Sequence, residues 1–190
     1  MRETTKPIRQ DRPVKLPVGY EVRFSDDGKL LVSLGRNVVV MDVDARKRLS
    51  TSRPLSHPAH ASFSPDAANL AVKSASGRIA VIDPRTGAVA ADLVNQKEGE
   101  GSPVHFTPDR AALVDGSWDG LFAVRDWPSG QILQLEHFPG EMIPEVSTDC
   151  RRHVFLCEHR PKRLAATGPP RLFYGPHLAV QQQQTARAAV

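Results

Sequence analysis

The chain has 190 residues, enough for one domain with a core of its own. It shows no signal-peptide pattern and no apolar stretch near the roughly 18 residues a membrane span needs, and Cys150 and Cys157 are too few for a disulfide scaffold, so a cytoplasmic protein is expected. The net charge of +4 is unevenly spread: residues 1–23 carry +3, residues 24–150 carry −5 and residues 151–190 carry +6, so the basicity lies in the ends and nucleic acid is not the expected partner.

Residues 1–13 have no strand period and are expected to form a flexible N-terminal segment, while Val14 to Val18 alternate as a candidate outer strand. From there one phrase recurs. FSDDGKLLV starts at Phe24, FSPDAANLAV at Phe63, FTPDRAALV at Phe106, and a worn copy, VSTDCRRHVF, at Val146. The first residues lie 39, 43 and 40 positions apart, the period of stacked supersecondary units. Each copy reads apolar anchor, hydroxyl, turn residue, aspartate, then an apolar run.

The second copy shows the unit in full. His60 to Phe63 leads into a Ser64-Pro65-Asp66 turn, where proline presets φ and the aspartate bonds back to the backbone. Leu70 to Val72 and Ile79 to Ile82 follow as strands, separated by Ser76-Gly77. Asp83-Pro84-Arg85-Thr86-Gly87 is a hairpin loop, and Ala88 to Leu93 closes the unit. The third copy repeats this with Ala112 to Val114, a turn at Ser117-Trp118-Asp119-Gly120, Leu121 to Val124, the loop Asp126 to Gly130, and Ile132 to Leu135. The first gives Leu30 to Leu34, Val38 to Met41 and Asp42, with Arg46 where the loop glycine would fall. Four short strands per forty residues make a propeller blade, so the fold class is all-β with about three and a half four-stranded blades in an open or partial propeller. Blades are expected over 14–160. The fourth unit has strands at Met142 to Val146 and His153 to Cys157, and then Arg160-Pro161-Lys162-Arg163. Residues 161–190, rich in Ala, Pro and Arg with four consecutive glutamines, are read as a disordered basic tail.

The Phe-Ser/Thr-Pro-Asp turn, the aspartates Asp42, Asp83 and Asp126 that close the third strands, and the small-residue turns before those strands resemble the WD-repeat β-propeller family in its divergent bacterial form. The resemblance covers roughly residues 14 to 157. The Trp-Asp pair that names the family is replaced by Met41-Asp42, Ile82-Asp83 and Arg125-Asp126, while Trp118-Asp119 lies one turn earlier. Asp119 falls where the family places an aspartate that pairs with a histidine, and Ser56-His57 and Glu136-His137 approximate its glycine–histidine pair. The resemblance implies a scaffold for protein–protein interaction, and the family closes six to eight blades into a ring. An open arc leaves strand edges that invite self-association, and the repeat, ending mid-unit, reads as a partial protein.

The chain offers little chemistry. Gly116-Ser117-Trp118-Asp119-Gly120 lacks the spacing of a nucleophile elbow, and Gly99 and Gly101 sit between Glu98 and Glu100, which would repel a phosphate. Cys150, His153, Cys157 and His159 have ligand-type side chains, yet they read as ordinary strand residues and no metal or other cofactor is expected. Asp27, Asp66, Asp109 and Asp149 recur with the repeat and are turn-formers; Phe24, Phe63 and Phe106 recur as core anchors. Trp118 and Trp127 do not recur. The candidate partner-binding residues are Arg36, Arg78, Trp118 and Trp127. The expected function is a non-catalytic scaffold with protein partners and no membrane partner. The alternatives are a lactonase- or quinoprotein-like propeller whose site lies in further blades, and a remnant without independent function.

Overall fold

The structure, a computed structural model, describes residues 19, 21–93, 101–148, 152–159 and 177–182. Every regular element among them is a strand, and the strands form four antiparallel sheets in chain order. Blade 1 consists of β1 (Glu21–Phe24), β2 (Leu30–Leu34), β3 (Val38–Asp42) and β4 (Lys47–Ser52). Blade 2 consists of β5 (Pro58–Phe63), β6 (Leu70–Ser74), β7 (Ile79–Ile82) and β8 (Val89–Leu93). Blade 3 consists of β9 (Gly101–Phe106), β10 (Ala112–Ser117), β11 (Leu121–Asp126) and β12 (Ile132–His137). The fourth sheet has β13 (Glu141–Thr148), β14 (Arg152–His159) and β15 (His177–Gln182). β1 lies beside β5, β5 beside β9, and β9 beside β13, so the sheets fan out from a shared inner edge without closing a ring among the described residues. The candidate strand at 14–18 lies outside the described residues.

The recurring phrase makes the same turn three times. Ser25 Oγ donates to Asp27 Oδ1 at 2.7 Å, Ser64 Oγ to Asp66 Oδ1 at 2.6 Å, and Thr107 Oγ1 to Asp109 Oδ1 at 2.6 Å. Each hydroxyl then accepts the amide five residues on, from Leu30, Asn69 and Ala112, and so opens the second strand. The aspartate accepts the amide two residues on. Closing the turn requires a positive φ at its fourth residue: Gly28 at 70°, Ala67 at 54° and Arg110 at 64°. Only the first copy uses glycine, so hydrogen bonding holds the other two in a conformation that side chains disfavour. Asp149 of the worn fourth copy lies outside the described residues.

The hydroxyl bond has a measurable electrostatic consequence. Asp66 is held at a pKa of about 2, below its ordinary 3.8, first by the Ser64 hydroxyl, then by the Ala68 amide and by Arg110, whose guanidinium reaches across from blade 3. A depressed carboxylate stabilises the fold fully above its unfolded pKa and stops doing so as pH falls through the folded value. The Asp66 contribution is therefore expected to fade between about pH 4 and pH 2. Replacing Ser64 with alanine should raise the Asp66 midpoint toward the ordinary value, read from the carboxyl carbon in an NMR titration; an unmoved midpoint would refute the assignment.

The third-to-fourth strand loops are equally regular. Asp83 Oδ1 accepts the Arg85 amide at 2.7 Å, and Asp42 Oδ1 accepts the Ala45 amide at 2.8 Å. Each loop ends on a positive φ at Arg46, Gly87 or Gly130, so Arg46 does take the expected glycine position. A β-bulge follows in every blade, between Val40 and Met41, Val81 and Ile82, and Val124 and Arg125.

Packing explains the strand compositions. β6, β7 and β10 are buried along their whole length, whereas β12 alternates between half-buried and exposed. Middle strands are covered on both faces by neighbouring blades and read as continuous apolar runs, while outer strands are covered on one. Leu30, Val32, Leu34, Val38 and Val40 pack against Phe63, Leu70 and Val72 between blades 1 and 2. Ala71, Ile79, Val81 and Leu93 pack against Val104, Phe106 and Leu113 between blades 2 and 3. Phe122, Val124, Ile143 and Val146 join blade 3 to the fourth sheet.

One expected anchor is not in the core. Phe63 and Phe106 are 7% and 6% exposed, but Phe24, at the same register position, is 62% exposed. Each anchor packs on the preceding blade, and among the described residues no blade precedes blade 1. The tail also needs an amendment. Residues 177–182, read as disordered, form β15 and pair antiparallel with β14, Leu156 opposite Leu178. An open edge of backbone donors and acceptors recruits even a three-residue apolar segment, Leu178-Ala179-Val180.

Candidate functional site

In an antiparallel meander, turns between second and third strands share one end with the connections between blades; the aspartate turns share the other. Arg36, Arg78 and Trp118 therefore lie at one end, and Trp127 lies at the opposite end. Trp127 is half-buried, packs into the core between blades 2 and 3, and meets Phe106 edge-on at 5.9 Å and 85°. It is a packing residue.

The Trp118 turn is the most firmly built of the three. Ser117 Oγ donates to Asp119 Oδ1, which also accepts the Leu121 amide at 3.3 Å. The Gly120 amide donates to the Ser117 carbonyl at 3.0 Å, and the Gly120 carbonyl accepts the Phe138 amide at 2.9 Å. Gly120 has φ of +82°, and a Cβ there would collide with the Phe138 carbonyl, so no other residue fits. His137 Nε2 stands 3.2 Å from the Asp119 carbonyl oxygen. The Asp119 carboxylate thus closes its own turn, and the nearby histidine meets its backbone rather than its side chain. This scaffold presents Trp118 with 41% of its surface exposed.

The neighbouring cations differ. Arg78 donates to Asp92 of the same blade at 2.6 Å, so its charge is offset. Arg36, in a turn closed by the Gly35 amide on the Asn37 carbonyl, is exposed, as is Arg53 in the connection from blade 1 to blade 2. The far end carries Asp27, Asp42, Asp66, Asp83, Asp109 and Asp126, only partly offset by Lys29, Arg46, Arg85 and Arg110. The Trp118 end carries carboxylates as well, Glu21, Asp92, Asp119, Glu136 and Glu141, so charge is mixed at both ends and the exposed indole is what sets this one apart.

Two polar links between blades were not foreseen. Near the inner edge Glu21 takes His60 Nδ1 at 3.2 Å and lies 3.1 Å from Arg23 Nε. Burial pushes the Glu21 pKa up, but the bonds and charges of His60 and Arg23 outweigh it and hold the carboxyl below its ordinary value. Between blades 2 and 3, Lys73 is fully buried, with Nζ 3.3 Å from Asp115 Oδ1 and donating to the Gly116 carbonyl. Arg125 Nε lies 3.6 Å from Asp115 Oδ2, and both residues are buried. The β-bulge between Asp115 and Ser117 takes Gly116 out of the β9 ladder, and Lys73 meets its carbonyl. A charged residue inside an otherwise apolar middle strand, as in AVKSA, ALVDGS and FAVRD, was the available signal.

Among the described residues no three His, Cys, Asp or Glu side chains converge as a metal site would require. Cys150 lies outside the described residues; His153, Cys157 and His159 fall on β14.

No family model and no curated protein sequence matches the chain. Solved structures do. The WD40 repeats of RRP9 superpose with a TM-score of 0.63 at 13% identity, covering 72% of this chain and 46% of that one. U3-55K gives the same figures. The fold is that of WD40-repeat β-propeller blades, and the chain spans about half the length of those propellers.

Proposed function

We propose that the chain is a non-catalytic, cytoplasmic binding module of the scaffold type, and that it recognises a protein partner through the end bearing Trp118, Arg36 and Arg53. Trp118 carries the reading: a large aromatic held out from a turn that glycine, serine and aspartate fix in place loses little entropy on binding, and such residues anchor interfaces. The indole calls for an apolar residue on the partner, and Arg36 and Arg53, exposed at the same end on blade 1, offer donors to a carboxylate. WD40 propellers, whose fold this is, generally serve as interaction scaffolds, which supports the class of function.

The test places a photo-crosslinking benzoylphenylalanine at position 118 and, as control, at Ala45, exposed at the opposite end. One recurrent protein captured at 118, not at 45, and lost on Arg36→Glu is the expected result. Equal capture at both positions, or none at 118, would remove the proposal.

A further inference from the structure

We propose that the outward face of blade 1 docks against the fourth sheet of a second copy of this chain, head to tail, independently of the end that bears Trp118. Phe24, Phe63 and Phe106 occupy one register position, each directly opposite a leucine of the second strand: Leu31, Leu70 and Leu113. Two residues earlier stand Val22, Ala61 and Val104. In blades 2 and 3 both positions are buried; in blade 1, Phe24 is 62% and Val22 53% exposed. This face has the composition of an interface between blades and meets no neighbouring blade among the described residues.

The repeat states what such a neighbour offers. The face that receives an anchor always carries a cross-strand apolar pair from the second and third strands: Val32 with Val40, Ala71 with Val81, Val114 with Val124. The fourth sheet repeats this register. Phe155 lies opposite Val146, the fourth anchor position, and Leu156, one residue on, lies opposite Leu178. Leu156 and Leu178 thus hold the register of Val32 and Val40 on a sheet that no described element follows. One chain therefore holds both halves of the repeating interface, one at each end of its arc.

A head-to-tail contact of this kind closes if the rotation allows. Two copies bring eight sheets, about the upper size of closed propellers. The match covers 46% of the RRP9 chain, so two copies would supply nearly its length in blades.

Sedimentation equilibrium of the 190-residue chain at tens of micromolar tests this. The expected mass is twice 20.8 kDa. Phe24→Asp and, separately, Val22→Lys should return it to a single copy with unchanged circular dichroism, since both side chains are exposed in one copy; Phe24→Leu should keep the pair. Benzoylphenylalanine at position 24 should crosslink to peptides bearing β14 or β15, residues 152–159 or 177–182, of the other copy. A wild-type mass of one chain, as when further blades of a longer polypeptide fill the place, would overturn the proposal. So would a pair that survives Phe24→Asp, or one crosslinked between two blade 1 faces.

Discussion

Asp115→Asn is expected to destabilise the chain by about 3–5 kcal/mol, whereas Lys73→Met is expected to cost no more than about 1–2 kcal/mol. The asymmetry comes from charge. Lys73, Asp115 and Arg125 are all buried between blades 2 and 3, two cations around one carboxylate. Removing the carboxylate leaves two positive charges in a low-dielectric seam with no counter-charge, and the desolvation already spent on them is no longer offset. Removing Lys73 leaves Asp115 with Arg125, a neutral pair, and relieves the cost of burying one cation. Its own loss is the bond to the Gly116 carbonyl, a group that the neighbouring bulge takes out of the β9 ladder. Urea unfolding of the two variants decides the matter. Equal losses would mean that the lysine holds the bulge rather than neutralising the carboxylate.

Phe106→Ala is expected to cost about 3–5 kcal/mol, Phe63→Ala a similar amount, and Phe24→Ala less than about 1 kcal/mol in a single copy. The three share a motif and a register, so the comparison removes local propensity and isolates packing. Phe106 is buried against Ala71, Ile79 and Val81 and takes the Trp127 ring edge-on; its loss opens a cavity and strands that ring. Phe24 has no such surroundings. Thermal unfolding at low concentration, where any second copy is absent, reads the difference. A Phe24→Ala loss as large as that of Phe106→Ala would show that blade 1 is covered on its outer face within one chain.

The strand plan was legible because it is written locally. Hydroxyl and aspartate two residues apart, with the second strand starting five or six residues after the hydroxyl, dictate the turn whatever the rest of the chain does. The loop aspartates Asp42 and Asp83 are legible for the same reason, and Arg46 takes the positive φ that its alignment with Gly87 requires. Burial is different. The residue pattern cannot tell Phe24 from Phe63, because whether a face is covered depends on a neighbouring sheet and not on the residues of the face. β15 escaped for a related reason: its pairing is decided by the open edge of β14, while Leu178-Ala179-Val180 is too short for a period to show. At the candidate site, the sequence located Arg36, Arg78 and Trp118 through the turns they occupy. It could not show that Arg78 is engaged by Asp92, that Trp127 turns inward, or that Lys73 and Asp115, 42 residues apart, meet.

The two ends of the blade stack would meet a partner on different terms. At one end the aspartates are taken up in closing their own turns, while at the other Trp118 stands exposed on a turn already fixed by Ser117, Asp119 and Gly120, so a binding surface meets an indole with little freedom left to lose. The lifetime of a complex formed there depends on how well the indole is enclosed, which substitutions in the partner can change without disturbing a blade.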